Sequence, residues 1–278
     1  MLKGCGRMVG PYDCCTVVCG DCLELMRALP DACVDAVIAD PPYGITSNKW
    51  DSVIPLVPLW KSLTRIGKDT AAFVFTASQP FTSTLVTSKV EWFRHEWIWI
   101  KNRGGNFANT VREPMKEHES VLVFSAGSWT YNRQMQERAE GGKARAKYEV
   151  AHDLDSHNSE NYRQFEGRTR HVIPEMRVPS SWQKFNTEVG LHPTQKPVPL
   201  FEYLIRTYTN ASEFVLDVAS GSGTTAVAAK RLGRHFLGFE IEQKYVDIAN
   251  ERIALVEAQP NLFGPKPMIH QTELYGDK

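Results

Sequence analysis

Residues 37–44 carry groups well suited to bind and polarise a small polar molecule. They read Val-Ile-Ala-Asp-Pro-Pro-Tyr-Gly, so Asp40 follows an apolar run, 34–39, that is typical of a buried strand in a parallel sheet. Each proline restrains its own φ angle and favours an extended residue before it, which keeps the backbone straight beyond the strand. The Asp40 carboxylate, a backbone carbonyl and the Tyr43 ring should then project into the crevice where open α/β sheets bind ligands. A stiff turn uses the same residue types, so this motif alone leaves both interpretations open.

A second motif couples a strand to a glycine turn and a helix. Residues 214–219 form an apolar run, residues 220–225 read Ser-Gly-Ser-Gly-Thr-Thr, and a helix is predicted from Ala226 to Leu232. Glycines in such a turn let the backbone approach a nucleoside-type ligand, and the free amides of the helix start face it. Glu240 stands 19 positions after Gly221, close to the spacing of about 20 at which an acidic residue binds ribose hydroxyls. The turn lacks the Gly-Lys-Ser/Thr of a P-loop, which argues against nucleoside triphosphate hydrolysis.

The elements around these motifs alternate between strand and helix. We predict strands at 15–20, 34–39, 71–76, 92–101, 119–125, 214–219 and 235–239, and helices at 22–29, 58–66, from Pro80, and at 198–209, 226–232 and 242–257. This alternation indicates an α/β protein with a mostly parallel sheet. The polar stretch 127–190 interrupts it, and we interpret that stretch as an insertion with a solvated surface.

Composition places the chain among ordinary globular proteins. Its 278 residues are 42% hydrophobic and 23% charged, and no stretch approaches the ~20 apolar residues of a membrane span. The start lacks an apolar signal core, so we expect an intracellular protein. Lys plus Arg and Asp plus Glu both number 32, which counts only weakly against DNA binding because a local basic groove suffices.

The cysteines are crowded into the first 33 residues. There are six of them: Cys5, Cys14, Cys15, Cys19, Cys22 and Cys33. Zinc would require a second Cys-x-x-Cys pair or histidines, and the first histidine is His95. Cys15 and Cys19 fall in the predicted strand 15–20, where buried, reduced thiols are ordinary, so we expect no metal site and keep metal binding or a working dithiol as the less favoured alternative.

Five segments together resemble the amino-methyltransferases of DNA, S-adenosylmethionine-dependent enzymes that methylate the exocyclic nitrogen of adenine or cytosine. The segments are Gly20-Asp21-Cys22-Leu23-Glu24, Asp40-Pro41-Pro42-Tyr43, His192-Pro193-Thr194-Gln195-Lys196-Pro197, Asp217 through Thr225, and Gly238-Phe239-Glu240-Ile241. The motif at Asp40 precedes the glycine turn, as in the circularly permuted β group of this family. The resemblance covers 15–126 and 190–255. One departure is Asp217-Val218-Ala219-Ser220-Gly221, where the family usually has Asp-Pro-Phe-x-Gly-Ser-Gly, so an aromatic contact with the cofactor is expected to be missing.

The resemblance implies a Rossmann-like methyltransferase fold, circularly permuted, with helices on both faces of a mostly parallel sheet. It assigns 1–126 to a catalytic half, 127–190 to an inserted target-recognition region, 191–258 to a cofactor-binding half of the same domain, and 259–278 to a tail. The implied catalytic residues are Asp40, Pro41, Pro42 and Tyr43. The implied cofactor-binding residues are Asp21, Cys22, Asp40, His192, Thr194, Lys196, Asp217, Ala219, Ser220, Gly221, Ser222, Gly223, Thr224, Glu240 and Ile241.

The roles implied for these residues follow the chemistry of an amine. Asp40 and the Pro41 carbonyl would accept the two amine hydrogens, and Tyr43 would stack on a base flipped out of the duplex. Glu240 would bind the ribose of the cofactor and Asp21 its adenine, although an aspartate at a strand-to-helix junction is ordinarily a helix N-cap. His192, Thr194 and Lys196 are expected near the methionine end.

We therefore predict a site-specific adenine-N6 DNA methyltransferase that uses S-adenosylmethionine, because aspartate rather than serine precedes Pro-Pro-Tyr. The cytosine-N4 enzyme is the near alternative, a methyltransferase of RNA or protein also stays open, and a non-catalytic cofactor- or DNA-binding module is the alternative of another class. The implied partner is double-stranded DNA, in the cytoplasm of a prokaryote or encoded by a phage, within a restriction-modification setting. A homodimer stays open, and no membrane association is expected.

Overall fold

The structure is a computed structural model that describes residues 5–46, 51–151, 173–188, 190 and 194–258. The described residues fall into two compact units. The first lies within Met1–Asn132 and Ser181–Lys266, and the second within Arg133–Ser180. Both motifs identified in the sequence belong to the first unit.

A mixed sheet forms the centre of the first unit and contains eight strands among the described residues. In chain order these are β1 (Thr16–Cys19), β2 (Val34–Ala39), β3 (Gly67–Ala77), β4 (Phe93–Gly105), β5 (Lys116–Phe124), β6 (Trp182–Lys184), β7 (Phe214–Asp217) and β8 (His235–Glu240). Their order across the sheet is β6-β4-β5-β3-β2-β7-β8-β1. Only β5 runs antiparallel to its two neighbours, and the other adjacent pairs are parallel.

Helices connect and cover the strands of the first unit, and one further helix, Glu140–Ala151, belongs to the second unit. They are α1 (Cys22–Met26), α2 (Leu56–Ile66), α3 (Phe81–Ser88), α4 (Glu140–Ala151), α5 (Val198–Tyr208), α6 (Thr224–Arg231) and α7 (Gln243–Ala258). In α2 the buried residues Leu59, Leu63 and Ile66 recur at the spacing of one helical face, which packs into the core. None of the described helices is long and apolar enough to cross a membrane.

Parallel pairing brings the two sequence motifs to one edge of the sheet. Strand β2 pairs with β7, with Val37 opposite Leu216, so Asp40 and the turn after Asp217 emerge side by side. Strand β1 pairs with β8, with Cys19 opposite Glu240. The carboxyl ends of four neighbouring strands therefore surround one crevice, as expected for an open α/β sheet.

The second unit contains α4 and a short antiparallel ribbon that joins Gln136–Glu137 to Met176–Arg177. The Lys143 ammonium lies 2.7 Å from a Glu137 carboxylate oxygen and 2.9 Å from one of Glu140. This charged, exposed surface matches the solvated character that the composition of the segment indicates.

The predicted mostly parallel α/β sheet is confirmed, with differences at the element boundaries. Strand β3 starts at Gly67 rather than at residue 71, because its polar first residues remain extended outside the core. The insertion 127–190 stays a prediction; within it, Trp182–Lys184 pairs with the main sheet as a strand parallel to β4. The tail from residue 259 lies outside the described residues.

Candidate active site

A cavity of about 1040 Å³ lies at the carboxyl ends of the strands in the first unit. It is lined by the Asp40–Tyr43 motif after β2, by the turn after β7, and by residues at the ends of β1 and β8. Small-molecule sites usually occupy about 300–1,000 Å³, so this cavity has room for a nucleoside-sized cofactor and a second ligand.

The Asp40 carboxylate is the centre of a hydrogen-bond network inside this cavity. Its Oδ1 accepts a hydrogen bond of 2.7 Å from the Tyr43 hydroxyl and another from Thr76 at the end of β3. Its Oδ2 lies 2.8 Å from the Lys196 ammonium. A carboxylate has about four acceptor positions, so these three donors fix its orientation and leave one position for a ligand.

Two carboxylates and two ammonium groups alternate in this network. Glu119, in β5, pairs with Lys101 of β4, and its other oxygen lies 3.4 Å from the Lys196 ammonium. Burial by itself lowers the pKa of Lys196, but the Asp40 and Glu119 carboxylates outweigh it and raise that pKa. For Glu119, burial raises the pKa, whereas the stronger effect of Lys196 and Lys101 lowers it. Lys196 and Glu119 are therefore both charged, and each compensates the other.

The Tyr43 ring is already in contact with an aromatic neighbour. It stacks on Phe81, the first residue of α3, with ring centroids 5.4 Å apart and planes inclined by 19°. The Lys196 ammonium lies 5.2 Å from its ring centroid. Burial raises the pKa of Tyr43 well above its usual value, and the Asp40 and Glu119 carboxylates add to this effect. The phenol thus keeps its proton and donates a hydrogen bond to the Asp40 carboxylate.

Asp51 anchors the loop that follows the motif. Its two carboxylate oxygens accept hydrogen bonds from the backbone amides of residues 43–46, at 2.8, 2.9, 3.0 and 2.6 Å. Burial raises the pKa of Asp51, but these amides outweigh it, and the net shift is downward. An ionised Asp51 therefore fixes the backbone beside Tyr43.

At the other side of the cavity, Glu240 caps two loops with its carboxylate. One oxygen accepts a hydrogen bond of 2.7 Å from the Gly221 amide, and the other accepts one of 2.9 Å from the Glu242 amide. The Gly221 backbone has a φ of +48°, which glycine adopts without the strain a side chain would impose. Glu240 therefore shapes the glycine turn as well as lining the cavity.

The turn also contains a buried hydroxyl that has no hydrogen-bond partner among the described residues. The Ser220 hydroxyl oxygen is buried and makes no hydrogen bond with any described residue, and Ser220 is among the residues that line the cavity. A buried polar group of this kind costs free energy unless a ligand satisfies it. Together with the glycine turn, it makes this side of the cavity fit a polar cofactor.

Asp21 and Asp217 line the same side of the cavity and make different contacts. Asp21 is the N-cap of α1, since its Oδ1 accepts hydrogen bonds of 2.8 Å from the Leu23 amide and 3.2 Å from the Glu24 amide. Asp217 is buried, which raises its pKa to about 7, and the Thr225 hydroxyl and Ala219 amide only partly oppose this. The ordinary N-cap role of Asp21 thus occurs alongside its position in the cavity.

The cavity collects nearly all of the site residues that the sequence predicts. Those lining it are Asp21, Cys22, Asp40, Pro41, Pro42, Tyr43, Thr194, Lys196, Asp217, Ala219, Ser220, Gly221, Ser222, Thr224, Glu240 and Ile241. His192 lies outside the described residues. Gly223 does not line the cavity, because it is the N-cap of α6 and packs against α7, where an added Cβ would lie 2.7 Å from the Cβ of Ala249. Lys196, expected near the methionine end, contacts Asp40.

The profile of the family described as DNA methylase matches residues 34–251. The match runs from the first residue of β2 into α7, and so includes both the Asp40–Tyr43 motif and the glycine turn. The chain belongs to this DNA methylase family. It is 29% identical over 254 residues to the type II methyltransferase M1.MboII of Moraxella bovis, covering 83% of this chain and 93% of that protein.

Solved structures share the fold of this DNA methylase at lower identity. The M1.HpyAVI–SAM complex is 23% identical, with a TM-score of 0.56 over 86% of this chain and 98% of that one. The cytosine-N4-specific PvuII DNA methyltransferase is 16% identical, with a TM-score of 0.60 over 88% of this chain and 91% of that one. At these identities the likeness establishes the methyltransferase fold alone.

Three polar residues of the methylase site were not identified from the sequence: Thr76, Glu119 and Asp51. Thr76 is the last residue of the predicted strand 71–76, and a polar residue at the carboxyl end of a strand was an available signal. Glu119 begins the predicted strand 119–125, but its position in the site depends on β5 running antiparallel. The sequence carries no mark of that strand direction.

Proposed function

We propose that this DNA methylase transfers a methyl group from S-adenosylmethionine to the exocyclic N6 of an adenine flipped out of double-stranded DNA. The observation that carries the proposal is the Asp40 carboxylate, oriented by three donors in the same cavity as the glycine turn. A methyl donor and an amine acceptor would meet between them.

The residues on the β7–β8 side suit the cofactor. Gly221 allows close backbone approach, the Ser220 hydroxyl lacks a partner among the described residues, and Glu240 and Asp21 retain acceptor capacity for ribose and adenine. When bound, S-adenosylmethionine supplies an electrophilic methyl group on a sulfonium, so alignment and electrostatics suffice for transfer. The M1.HpyAVI–SAM complex supports this cofactor assignment.

Asp40 and Pro41 would act on the amine. The lone pair of an exocyclic amine is delocalised into the ring, so the nitrogen is a weak nucleophile. If the Asp40 carboxylate and the Pro41 carbonyl accept its two hydrogens, the nitrogen becomes more tetrahedral and its developing positive charge is stabilised. The Tyr43 ring, held by Phe81 and Asp40, would stack on the extruded base.

Lys196 and Glu119 would adjust the charge of Asp40 as the base enters. The Lys196 ammonium has two carboxylate partners, Asp40 at 2.8 Å and Glu119 at 3.4 Å. A shift of the ammonium towards Glu119 would free Asp40 Oδ2 for the amine without leaving a buried charge unpaired. In this proposal Glu119 is a positioning residue, because it acts through Lys196.

We also propose that the second unit recognises the target site in the double-stranded DNA. Residues 133–180 are rich in charged side chains and are inserted between the two segments of the cavity-forming unit, which suits a region that reads the DNA target site. The type II methyltransferase name of the Moraxella bovis relative supports a site-specific, restriction-modification setting.

The base specificity is tested by product analysis. The full-length protein is incubated with methyl-labelled S-adenosylmethionine and unmethylated double-stranded DNA, which is then digested to nucleosides; RNA serves as a parallel substrate. We expect label in N6-methyladenine. Label confined to N4-methylcytosine would instead identify a cytosine enzyme, and label only in RNA would change the substrate class.

The non-catalytic alternative is tested by binding. Ala219 stands where the resembling family has an aromatic residue, and this is the feature that favours a simple binding module. Calorimetry with S-adenosylmethionine should give saturable binding at one site. Absence of binding, together with absence of label in any nucleic acid, would favour the module.

A further inference from the structure

Four side chains of metal-ligand type converge at the amino-terminal ends of β1 and β8. They are Cys5, Cys14, Cys15 and His235, and their ligand atoms all lie within 4.8 Å of one another. None of the four lines the cavity. The cluster therefore has no part in the proposed methyl transfer.

Strand pairing builds the cluster from residues far apart in sequence. Because β1 pairs in parallel with β8, the Cys15 amide donates a hydrogen bond of 2.7 Å to the Phe236 carbonyl, beside His235. A short hairpin that pairs Met8–Val9 with Tyr12–Asp13 then folds the chain back. The Cys14 amide donates to the Arg7 carbonyl at 2.9 Å, which brings Cys5 to the same point.

The distances agree with tetrahedral zinc coordination. The Nδ1 atom of His235 lies 3.5 Å from the Cys5 sulfur and 3.5 Å from the Cys14 sulfur, and the Cys14 and Cys15 sulfurs are 3.5 Å apart. With Zn–S near 2.3 Å and Zn–N near 2.0–2.1 Å, a tetrahedral ion places S and N about 3.6 Å apart and two sulfurs about 3.8 Å apart. All four residues thus approach the separations that one ion requires.

The backbone at Cys15 is bent in a way that serves convergence. Cys14 and Cys15 form the turn between Tyr12–Asp13 and β1, where an extended backbone would point their side chains in opposite directions. Cys15 instead has a φ of +66°, a conformation unfavourable for a residue with a side chain. Both thiols are buried and their sulfurs meet. A strained residue that unites two neighbouring thiols with an imidazole indicates a ligand site rather than incidental core packing.

We propose that Cys5, Cys14, Cys15 and His235 bind one structural Zn²⁺ ion. Three sulfurs and one nitrogen complete a tetrahedral shell, which is characteristic of structural rather than catalytic zinc. Cys15 and Gly20 are separated by a strand that spans about 16 Å, so the ion lies well away from the reacting groups. Binding releases the thiol protons to solvent and involves no redox step.

The ion would support the cofactor side of the cavity from a distance. Strand β1 is at the edge of the sheet, with β8 as its only partner strand among the described residues. Zinc would join the amino-terminal ends of these strands, whose other ends lead to Asp21 and Glu240. Removing it should therefore loosen the edge strand and weaken the binding of S-adenosylmethionine, without removing any catalytic group.

Metal analysis of the purified full chain, prepared without a metal-binding tag or chelator, tests the proposal. We expect about one Zn²⁺ per chain. Replacement by Co²⁺ should give the intense visible bands of a tetrahedral site and thiolate-to-metal charge transfer. The variants Cys14→Ser and His235→Ala should lose most of the zinc, whereas the matched control Cys33→Ser, a cysteine outside the cluster, should keep it.

Thermal unfolding adds a readout independent of activity. A chelator should lower the Tm of the wild type and of Cys33→Ser by several degrees, and Zn²⁺ should restore it. The proposal is wrong if wild-type protein contains no zinc and gives no tetrahedral Co²⁺ spectrum. It is equally wrong if His235→Ala and Cys14→Ser retain a full equivalent, or if mapping finds a disulfide within the cluster.

Discussion

The two sides of the cavity are built in different ways. On the side proposed to bind the cofactor, here called the cofactor side, residues 217–225 form one continuous strand, turn and helix start, and backbone groups make most of the contacts. The side proposed to bind the flipped base, here called the base side, is built by side chains that come from separate elements and meet one another. These are Asp40, Thr76, Lys101, Glu119 and Lys196. The first side depends on local conformation, whereas the second depends on the topology of the whole sheet.

Because of this difference, substitutions on the two sides should impair different properties of the protein. A side-chain change on the base side should alter the reaction while cofactor binding persists, because the glycine turn is formed independently. A backbone change on the cofactor side should instead alter folding and cofactor affinity together. Four substitutions test this contrast, and their expected effects decrease from the first to the last.

The largest effect should come from Asp40→Asn. The amide keeps the shape of the side chain but loses the negative charge that would stabilise a developing ammonium. We expect kcat to fall by about 10³-fold, or about 4 kcal/mol of transition-state stabilisation. Single-turnover methyl transfer measures the loss, and calorimetry should give a nearly unchanged Kd for S-adenosylmethionine. Asp69→Asn, on an exposed residue of β3, is the matched control; an active Asp40→Asn enzyme would refute the proposed mechanism.

Asp217 lies where the two sides meet, and it should make stability depend on pH. Its pKa is raised to about 7, mainly by burial, with smaller contributions from the Asp40 carboxylate on one side and the Glu240 carboxylate on the other. Since the unfolded carboxyl has a pKa near 3.9, the folded state holds an extra proton between about pH 4 and pH 7. Its stabilising contribution is complete below pH 4 and is lost as the pH rises towards 7.

Asp217→Asn should remove the loss of stability that the wild type shows as the pH rises towards 7. Relative to wild type, the variant should gain up to about 4 kcal/mol in free energy of unfolding between pH 4 and pH 8, since one pH unit corresponds to about 1.4 kcal/mol per proton. Urea unfolding of both proteins at several pH values measures the difference. Parallel profiles for the two proteins would show that Asp217 is ionised throughout.

Gly223→Ala should break the cofactor side through the backbone. Gly223 has a φ of +80°, and its added Cβ would lie 2.7 Å from the Cβ of Ala249. The left-handed conformation and the overlap together should cost about 2–3 kcal/mol. Gly233→Ala is a matched control, because Gly233 follows the same helix with a φ of +66° but has no atom within 4 Å of an added Cβ.

Chemical denaturation should separate the cost of the left-handed conformation from the cost of the overlap with Ala249. Gly233→Ala should lose only about 1 kcal/mol, the conformational part, and should keep its affinity for S-adenosylmethionine. Gly223→Ala should lose more, and its cofactor affinity should fall because α6 shifts beside the turn. Equal losses in the two variants would mean that contact with Ala249 contributes nothing.

The contrast also explains what the sequence could predict. The glycine turn and the strand leading to Asp40 are contiguous, so periodicity and residue type are sufficient to locate them. Glu119 reaches the site only because β5 is antiparallel, which places its amino end beside the carboxyl ends of the parallel strands. His235 joins Cys14 and Cys15 only through the pairing of β1 with β8. Contacts of this kind depend on sheet order and strand direction, which local patterns do not encode.

Glu119→Gln should have the smallest of the four effects and is the sharpest test of the base side. The amide cannot balance Lys101 and Lys196, so the Lys196 ammonium should remain on Asp40 and compete with the amine of the base. We expect kcat to fall by about 10–100-fold, or about 1.4–2.7 kcal/mol, with an unchanged Kd for S-adenosylmethionine. Glu96→Gln, an exposed carboxylate on neighbouring β4, should leave both values unchanged. If Glu119→Gln instead weakens cofactor binding while kcat persists, the buried ion network supports the cofactor side, and the two sides are not independent.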